Sequence, residues 1–388
     1  MIYLDYNATA PARPEAINAM LSVFHTPGNA SSAHVVGRNA AAAVERARRH
    51  LAHLMGCSAG ELVFTSGATE ANNLALRALA DVGQRVAVSA VEHPAVSEAA
   101  RSLTRDANVG LIVLRVDDTG LLVLDELREF LRGGGTPVVS VMAANNETGV
   151  LSDLEAVVRL VHQAGGLVHT DATQLVGRLP VDLSELPVDM LSLSAHKFGG
   201  PQGVGALFMR RGLRISQRPL LHGGGQERGW RAGTLNVAGI AGMGAAAEAA
   251  RLTVAEEAAR VRRLRDRLES AILCRVPRVR RNGHPERRLP GVSSLTFAGA
   301  PADAVLAAMP YVAASDGSAC ASGALGPSHV LVAMGRSREE AESTIRFSLG
   351  YATTADELDQ AVEEVVVAVE RVRASIGRIS ARSTALCT

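Results

Sequence analysis

Between residues 60 and 210, short apolar runs rich in β-branched residues alternate with stretches of helical periodicity. Such alternation is typical of a parallel sheet whose strands are joined by crossover helices. It predicts seven strands, at residues 62–65, 85–89, 110–116, 137–142, 167–170, 190–194 and 204–209. The sequence therefore predicts an α/β fold in which the large domain contains a mainly parallel seven-stranded sheet.

The pattern changes after Thr234, where a long alanine-rich helical stretch runs through Ala271. We expect this stretch to be a connecting helix. Two further strand-like runs and a last helix, which we expect to stop near Gly377 before a frayed tail, indicate a smaller α+β domain. The predicted large domain spans residues 13–251, and the predicted small domain combines residues 1–12 with residues 252–388.

Two pairs of residues have the spacing of a capping box, in which a hydroxyl residue and a glutamate three positions later satisfy the free N–H groups of a helix start. Ser152 with Glu155 predicts one helix start, and Thr354 with Glu357 predicts the start of the last helix.

Composition narrows the classes of function. The 388 residues include 40 basic and 39 acidic side chains, and only 3% are aromatic. A near-neutral chain lacks the basic surface that binds phosphate backbones or anionic lipids, and few aromatic residues are available to stack on bases. We therefore expect neither nucleic acid nor a membrane as a partner. No apolar run is long enough to span a membrane, and four scattered cysteines indicate reduced thiols. These features predict a cytoplasmic protein that acts on small molecules.

All but one of the 40 basic residues are arginine, and the exception is Lys197. Codon bias accounts for the arginine excess, and a chance surface lysine is the simplest explanation of Lys197. The alternative is chemistry that arginine cannot perform, because an amine loses its proton and forms an imine while a guanidinium stays protonated. The neighbours of Lys197 must decide between the two.

Polar residues follow the ends of five predicted strands, the edge where open α/β sheets bind ligands. They are Ser66–Gly67–Ala68–Thr69, His93, Asn145–Asn146, Asp171 with Gln174, and Ser194 with His196 and Lys197. Each has an ordinary structural explanation as well. The Gly67 segment can be a plain turn, the asparagines can be turn residues, and His93 and Asp171 can cap helices.

Taken together, these residues suit pyridoxal phosphate, which needs an amine for its aldehyde, an anion cradle, a carboxylate at its ring nitrogen and donors near its phenolic oxygen. Lys197, the helix start at Thr69, Asp171 and Gln174 supply these in turn.

Two other residues fit an amino-acid substrate. Arg346 is a cation within a strand-like apolar run, where either a substrate carboxylate or an internal acidic residue would be its partner. Cys320 lies in a loop of small residues, about 315–326, which favours a reactive thiolate over a buried apolar side chain. His50 and His53 lack a nearby third ligand, so we expect no metal.

These motifs resemble the cysteine desulfurases of the NifS and IscS type, a group within the class V aminotransferases that has the fold type I architecture. The resemblance covers essentially the whole chain and is carried by residues 3–9, 66–73, 145–149, 171–174, 194–197, 223–234, 317–320 and 345–348. It implies removal of sulfur from L-cysteine, giving alanine and a persulfide that is passed to an acceptor for iron–sulfur cluster assembly or thiolation.

The resemblance also implies a role for each matching residue. Lys197 would bond to the cofactor and move protons, assisted by His93 stacked on the ring. Asp171 would meet the ring nitrogen and Gln174 the phenolic oxygen. The phosphate would be bound by Thr69, Ser194 and His196, joined by Thr234 from the second subunit of a homodimer, and Ala68 and Asn146 would also contact the cofactor. Asn146 and Arg346 would hold the substrate carboxylate, and Cys320 would attack the substrate sulfur.

Two rival functions remain at this point. Another class V enzyme, an aminotransferase or a selenocysteine lyase, would not depend on Cys320. A sulfur-relay or scaffold protein would have kept the fold without turnover.

Overall fold

A computed structural model describes residues 1–80, 85–106, 109–215, 217–316 and 326–386, which form thirteen strands and eleven α-helices. The strands are β1 (Ile2–Tyr3), β2 (Leu62–Thr65), β3 (Arg85–Ser89), β4 (Gly110–Leu114), β5 (Pro137–Ser140), β6 (Leu167–Asp171), β7 (Met190–Ser194), β8 (Gly205–Met209), β9 (Val279–Arg281), β10 (Val292–Phe297), β11 (Val312–Ala313), β12 (Ser315–Asp316) and β13 (Thr344–Ser348). The helices are α1 (Pro14–His25), α2 (Val35–Met55), α3 (Ala68–Leu79), α4 (Pro94–Asp106), α5 (Leu124–Leu131), α6 (Leu154–Gln163), α7 (Val237–Arg275), α8 (Ala302–Ala308), α9 (His329–Ala333), α10 (Arg338–Glu342) and α11 (Ala355–Leu386).

The large sheet contains the seven strands that the sequence predicts. Their order is β2-β8-β7-β6-β5-β3-β4, and every strand is parallel to the others except β8, which runs antiparallel to β2 and β7. The α/β prediction is therefore confirmed. Because β2, β3, β5, β6 and β7 point the same way, the segments that follow them meet at one edge of the sheet.

Helices cover both faces of this sheet, which explains why its strands are continuous apolar runs. Successive side chains of β5 show the alternation, since Val138 packs with Leu74 and Val96 of α3 and α4. The next residue, Val139, belongs to the opposite layer with Val157 of α6. All these side chains are buried, so the sheet is the centre of a three-layer core.

The predicted connecting helix is α7, with 39 residues and a length of about 58 Å at 1.5 Å per residue. It begins at Val237 and is capped by Asn236, whose side chain accepts a hydrogen bond from the N–H of Gly239. Its first half contributes Ile240 to the apolar core around the large sheet. Its second half contributes Leu268 to a second core.

That second core surrounds an antiparallel sheet of order β12-β13-β10-β9. Ile2 and Leu4 of the amino-terminal segment belong to it, and β1 pairs with β11 beside it. We propose that the two cores are the large and small domains expected from the sequence, with the division near residue 251 within α7.

Two predicted helix boundaries are wrong. The start of α6 is capped by Asp153, which accepts from the N–H of Ala156 at 3.1 Å, and the Ser152 hydroxyl instead donates to the carbonyl of Met142. The last helix continues past Gly377 to Leu386, because one glycine costs only about 1 kcal/mol and the alanine and arginine residues after it favour helix. The capping box of Thr354 and Glu357 is confirmed.

Within the described part of the chain, none of the helices combines the length and the apolar character that crossing a membrane requires.

Glu269 belongs to a buried cluster of charges beside the second core, and it generates a first prediction. It accepts two hydrogen bonds from Arg288, at 2.7 and 2.8 Å, and one from Ser293 at 2.7 Å. Burial alone would raise its pKa, but these hydrogen bonds lower the pKa to about 2. Glu269→Ala leaves the Arg288 guanidinium buried without its partner, so we expect it to lower the free energy of unfolding by about 3–5 kcal/mol.

Urea unfolding followed by circular dichroism measures this loss. The control is Glu363→Ala, which removes an exposed ion pair with Arg275 and should leave the free energy of unfolding almost unchanged. Equal losses in the two variants would contradict the assignment of the Glu269 cluster as a stabilising element.

Candidate active site

An open cleft with a volume of about 400 Å³ lies where the carboxyl ends of the parallel strands meet. Nine of the residues predicted from the sequence line it: Ala68, Thr69, His93, Asn146, Asp171, Gln174, Ser194, His196 and Lys197. They come from segments that follow five different strands. The parallel sheet therefore brings together residues separated by more than a hundred positions in the sequence.

Lys197, the single lysine of the sequence, lies in a short helical turn directly after β7. Its Nζ donates to the backbone carbonyls of Asn7 at 2.6 Å and of Ala8 at 2.8 Å. The amino-terminal segment thus fixes the direction of the amine. The placement favours the chemical explanation of Lys197 over a chance surface lysine.

The cleft contains an anion cradle at the start of α3. Gly67 precedes this helix and supplies no side-chain cap, so the first N–H groups of α3 are available to a ligand. A Cβ atom built on Gly67 would have the Ser194 Oγ atom as its nearest neighbour, at 3.8 Å. The hydroxyls of Thr69 and Ser194 belong to the same wall of the cleft. This arrangement is suited to a phosphate group.

Asp171, at the end of β6, is buried and held from two sides. One carboxylate oxygen accepts from Asn72 Nδ2 at 2.7 Å, and the other accepts from the N–H of Thr173 at 2.9 Å. The second bond is the capping role that the sequence also allowed. Asn72, which lies one helical turn after Thr69, was not assigned a role by the sequence analysis, although its spacing places it on the same face of α3.

Three buried polar atoms beside Asp171 lack a hydrogen-bond partner among the described residues. They are Asn72 Oδ1, Thr173 Oγ1 and Gln174 Oε1. The amide nitrogen of Gln174 donates to the carbonyl of Asn7 at 3.0 Å, which orients the amide in the cleft. Buried polar atoms are almost always paired, so unpaired ones in a cleft indicate a polar ligand or ordered water.

Two histidines near the cleft are kept neutral. Burial, with smaller contributions from the charges of Lys197 and Arg178, lowers the pKa of His196 to about 4. Burial likewise lowers the pKa of His169 to about 4, and both of its ring nitrogens lie within hydrogen-bond distance of serine hydroxyls, at 2.8 and 3.0 Å. His169 lies on the same face of β6 as Asp171, two residues before it, and was not identified from the sequence.

His93 lines the cleft and also caps α4, because its Nδ1 accepts from the N–H of Ala95 at 3.0 Å. The structural explanation and the functional one are therefore compatible. Its neighbour Glu92 is buried, accepts from the N–H of Met142 at 2.6 Å, and has its pKa raised by burial and by the charge of Asp171.

Arg346 lies buried on β13 and does not line the cleft directly. It forms an ion pair with Asp5 at 2.7 Å, so the internal acidic partner considered in the sequence analysis is present. It also donates to the backbone carbonyl of Asn146 at 3.0 Å, which connects it to a residue of the cleft.

Besides Arg346, one described residue of the predicted site does not line the cleft. Thr234 is exposed and lies outside the cleft. Cys320, together with residues 317–325, lies outside the described residues.

Gly205 generates a second prediction, because β8 passes very close to the anion cradle at this position. A Cβ atom on Gly205 would lie 2.6 Å from the Cα and carbonyl carbon of Gly67, and both of these are backbone atoms. Gly205→Ala must therefore displace the cradle or β8, and we expect a loss of about 1–3 kcal/mol in the free energy of unfolding.

Urea unfolding checks this loss against Gly134→Ala, where a Cβ atom would meet nothing within 4 Å. A Gly205→Ala protein as stable as the Gly134→Ala protein would show that the close approach is not a constraint.

Comparisons with known proteins agree with the residues found in the candidate active site. The class V aminotransferase family model matches residues 2–361. A relative from Frankia sp. (strain EuIK1), named cysteine desulfurase, is 46% identical and covers 96% of this chain and 92% of that protein. A relative from Anaeromyxobacter sp. (strain Fw109-5), named cysteine desulfurase IscS, is 45% identical, with 96% and 93% covered.

Solved structures give the same result. A NifS-like protein is 35% identical with a TM-score of 0.87, covering 95% of this chain and 99% of that one. SspA, solved in complex with cysteine, is 30% identical with a TM-score of 0.77, covering 90% and 99%. The chain therefore belongs to the class V aminotransferases and, within that family, to the cysteine desulfurases of the NifS and IscS type.

Proposed function

We propose that this protein is a pyridoxal phosphate-dependent cysteine desulfurase. It removes sulfur from L-cysteine, releases L-alanine and carries the sulfur as a persulfide on Cys320. The observation that carries this proposal is the position of Lys197, the single amine side chain of the sequence, in one cleft with an anion cradle and a buried carboxylate.

The residues of the cleft fit the cofactor group by group. The free N–H groups at the start of α3 and the hydroxyls of Thr69 and Ser194 suit its phosphate, and the Asp171 carboxylate suits its ring nitrogen. Gln174 lies beside Asp171, and its amide nitrogen, which has a second N–H besides the one donated to Asn7, suits the phenolic oxygen. His196 and Thr234 of the partner subunit would complete the proposed phosphate site, Ala68 would be a further cofactor-binding residue, and His93 would stack on the ring.

Once bound, pyridoxal phosphate supplies an electron sink that stabilises negative charge at the substrate Cα atom. Lys197 Nζ would hold the cofactor and would accept the α-proton of the substrate. Asn72 and the N–H of Thr173 fix the Asp171 carboxylate, which would hold the ring nitrogen. His196, neutral because burial lowers its pKa to about 4, donates or accepts hydrogen bonds without adding charge.

Asn146 and Arg346 hold the substrate carboxylate in this proposal. Arg346 already bonds to the carbonyl of Asn146 and to Asp5, so the substrate carboxylate joins an existing polar cluster. SspA, which is similar to 90% of this chain, was solved in complex with cysteine. This similarity supports cysteine as the substrate class.

Sulfur transfer requires a nucleophile, and we assign that role to the Cys320 thiolate. A bond forms between Cys320 Sγ and the substrate sulfur while the carbon–sulfur bond of the substrate breaks. The electron pair of the broken bond stays with the substrate carbon, which is then protonated and leaves as alanine. A thiol of an acceptor protein subsequently takes the outer sulfur, for iron–sulfur cluster assembly or thiolation.

We further propose that the protein works as a cytoplasmic homodimer. Thr234 is exposed and lies outside the cleft of its own chain. It would therefore bind the cofactor phosphate in the cleft of a second copy of the chain, which supports a homodimer.

Lys197 generates a third prediction. Incubation with pyridoxal phosphate followed by borohydride should fix one pyridoxyl group on Lys197, which intact-mass spectrometry and peptide mapping detect without competition from other lysine side chains. Lys197→Arg keeps the positive charge but cannot form an imine, so it should show no label at position 197 and no cysteine turnover. A colourless, unlabelled wild-type protein would contradict the proposed function.

Cys320 generates a fourth prediction. Cys320→Ala should lower sulfide release from L-cysteine in the presence of reductant by at least about three orders of magnitude. Cofactor absorbance and its response to cysteine should remain, because the steps before sulfur transfer do not use the thiol. Cys274→Ala, at an exposed cysteine of α7, is the control and should retain wild-type turnover. Unchanged sulfide release by Cys320→Ala would favour a lyase.

A further inference from the structure

The segment that follows β8 contains an unusual backbone. Glu227 and Arg228 have φ angles of 46° and 56°, and Gly229 follows with a φ of 80°. Left-handed conformations are unfavourable for residues with a side chain, and among the described residues these are the only two adjacent ones outside glycine. Such a conformation persists only where surrounding contacts impose it.

The contacts that impose it are buried and charged. The Glu227 carboxylate accepts from Arg48 at 2.6 and 2.9 Å, and the side chains of both residues are more than 90% buried. One of its oxygens also accepts from the backbone N–H of Phe64 at 2.8 Å. The Arg48 guanidinium lies over the ring of Phe64, 4.5 Å from its centroid.

These side chains take the place of a missing strand. β2 is at the end of the large sheet, so one edge of its backbone has no neighbouring strand. On that edge, the carbonyl of Leu62 accepts from Arg48 at 2.9 Å and from Arg228 at 2.7 Å, while Phe64 donates to Glu227. We call Arg48, Glu227 and Arg228 the β2 clamp. Side chains that satisfy an edge strand in this way fix its position.

The same segment contacts the anion cradle at a second point. Arg231 Nε donates to Glu70 Oε1 at 3.0 Å, and Glu70 Oε2 accepts from the N–H of Ser66 at 2.8 Å. Ser66 and Glu70 both line the cleft. Although burial alone would raise the pKa of Glu70, its bonds with Ser66 and Arg231 lower it, so the carboxylate stays ionised at neutral pH.

We propose that the β2 clamp and the Arg231–Glu70 bond are positioning elements that hold the cradle in the geometry needed for the cofactor phosphate. The clamp fixes β2, which leads into the cradle. Arg231 fixes the turn at Ser66 through Glu70, which bonds to both residues. This inference rests on the proposed function, since it takes pyridoxal phosphate as the ligand. Residues 227–231 thereby set the affinity for the cofactor without contacting it.

The test compares Glu227→Gln with Glu269→Gln, which weakens a buried arginine pair of the same chemistry in the small domain. Apo-proteins are titrated with pyridoxal phosphate, and the dissociation constant and the apo-protein melting temperature are both measured. Glu227→Gln should raise the dissociation constant on the order of tenfold, as loss of a supporting residue does at other sites. Glu269→Gln should lower the melting temperature without changing the dissociation constant.

Arg231→Gln provides an independent arm, since Arg231 is partly exposed and the variant should fold even if Glu227→Gln does not. It should also weaken cofactor binding, whereas Arg267→Gln, which removes an exposed ion pair with Asp359, should not. If wild-type protein binds pyridoxal phosphate and Arg231→Gln binds it equally well, or if Glu227→Gln and Glu269→Gln weaken it equally, the inference is wrong. A wild-type protein that does not bind the cofactor overturns the proposed function and this inference together.

Discussion

The common direction of five strands is the constraint on which the site depends. Because β2, β3, β5, β6 and β7 are parallel, the residues after them collect at one edge of the sheet. The bond between Asn72 and Asp171 joins positions 99 residues apart, and it exists only because β2 and β6 end at the same level. No local structure could bring such groups together, so the geometry of the cleft depends directly on the packing that keeps the seven strands in register.

A second constraint is the path of the amino-terminal segment, which contributes Ile2 and Leu4 to the second core and reaches Lys197 through Asn7. Asn7 is buried and joins both parts. Its N–H donates to Ser348 Oγ at 2.9 Å and its Nδ2 to the carbonyl of Asn146 at 2.8 Å. Its own carbonyl accepts from Lys197 and from Gln174. Any movement of the second core relative to the sheet would therefore displace the Asn7 carbonyl, which accepts a hydrogen bond from the Lys197 amine.

The sequence was sufficient to predict the strands and most residues of the cleft. It was insufficient where a contact depends on how segments that are distant in sequence approach each other in the fold. Strands that are covered on both faces by helices are apolar throughout, so they could be recognised in the sequence. Because these strands are parallel, the residues that follow them were expected to lie close together. Asn72 and His169 were missed because their importance comes from contacts with Asp171 and with serines of other strands. Ser152 and Asp153 are both good helix caps, and the choice of Asp153 follows from the hydrogen bond of Ser152 to Met142.

The charges around the cleft explain why an anionic ligand suits this edge of the sheet. Lys197, Arg178 and Arg346 lie close together, and burial, reinforced by the charge of Arg346, lowers the pKa of Arg178 to about 9. Asp5 and Asp171 offset part of this positive charge, but the cradle at the start of α3 adds the positive end of a helix. A bound anion at the cradle interacts favourably with this positive end of α3. Since a ligand that binds only the folded state stabilises it, we expect an anion bound there to stabilise the folded protein.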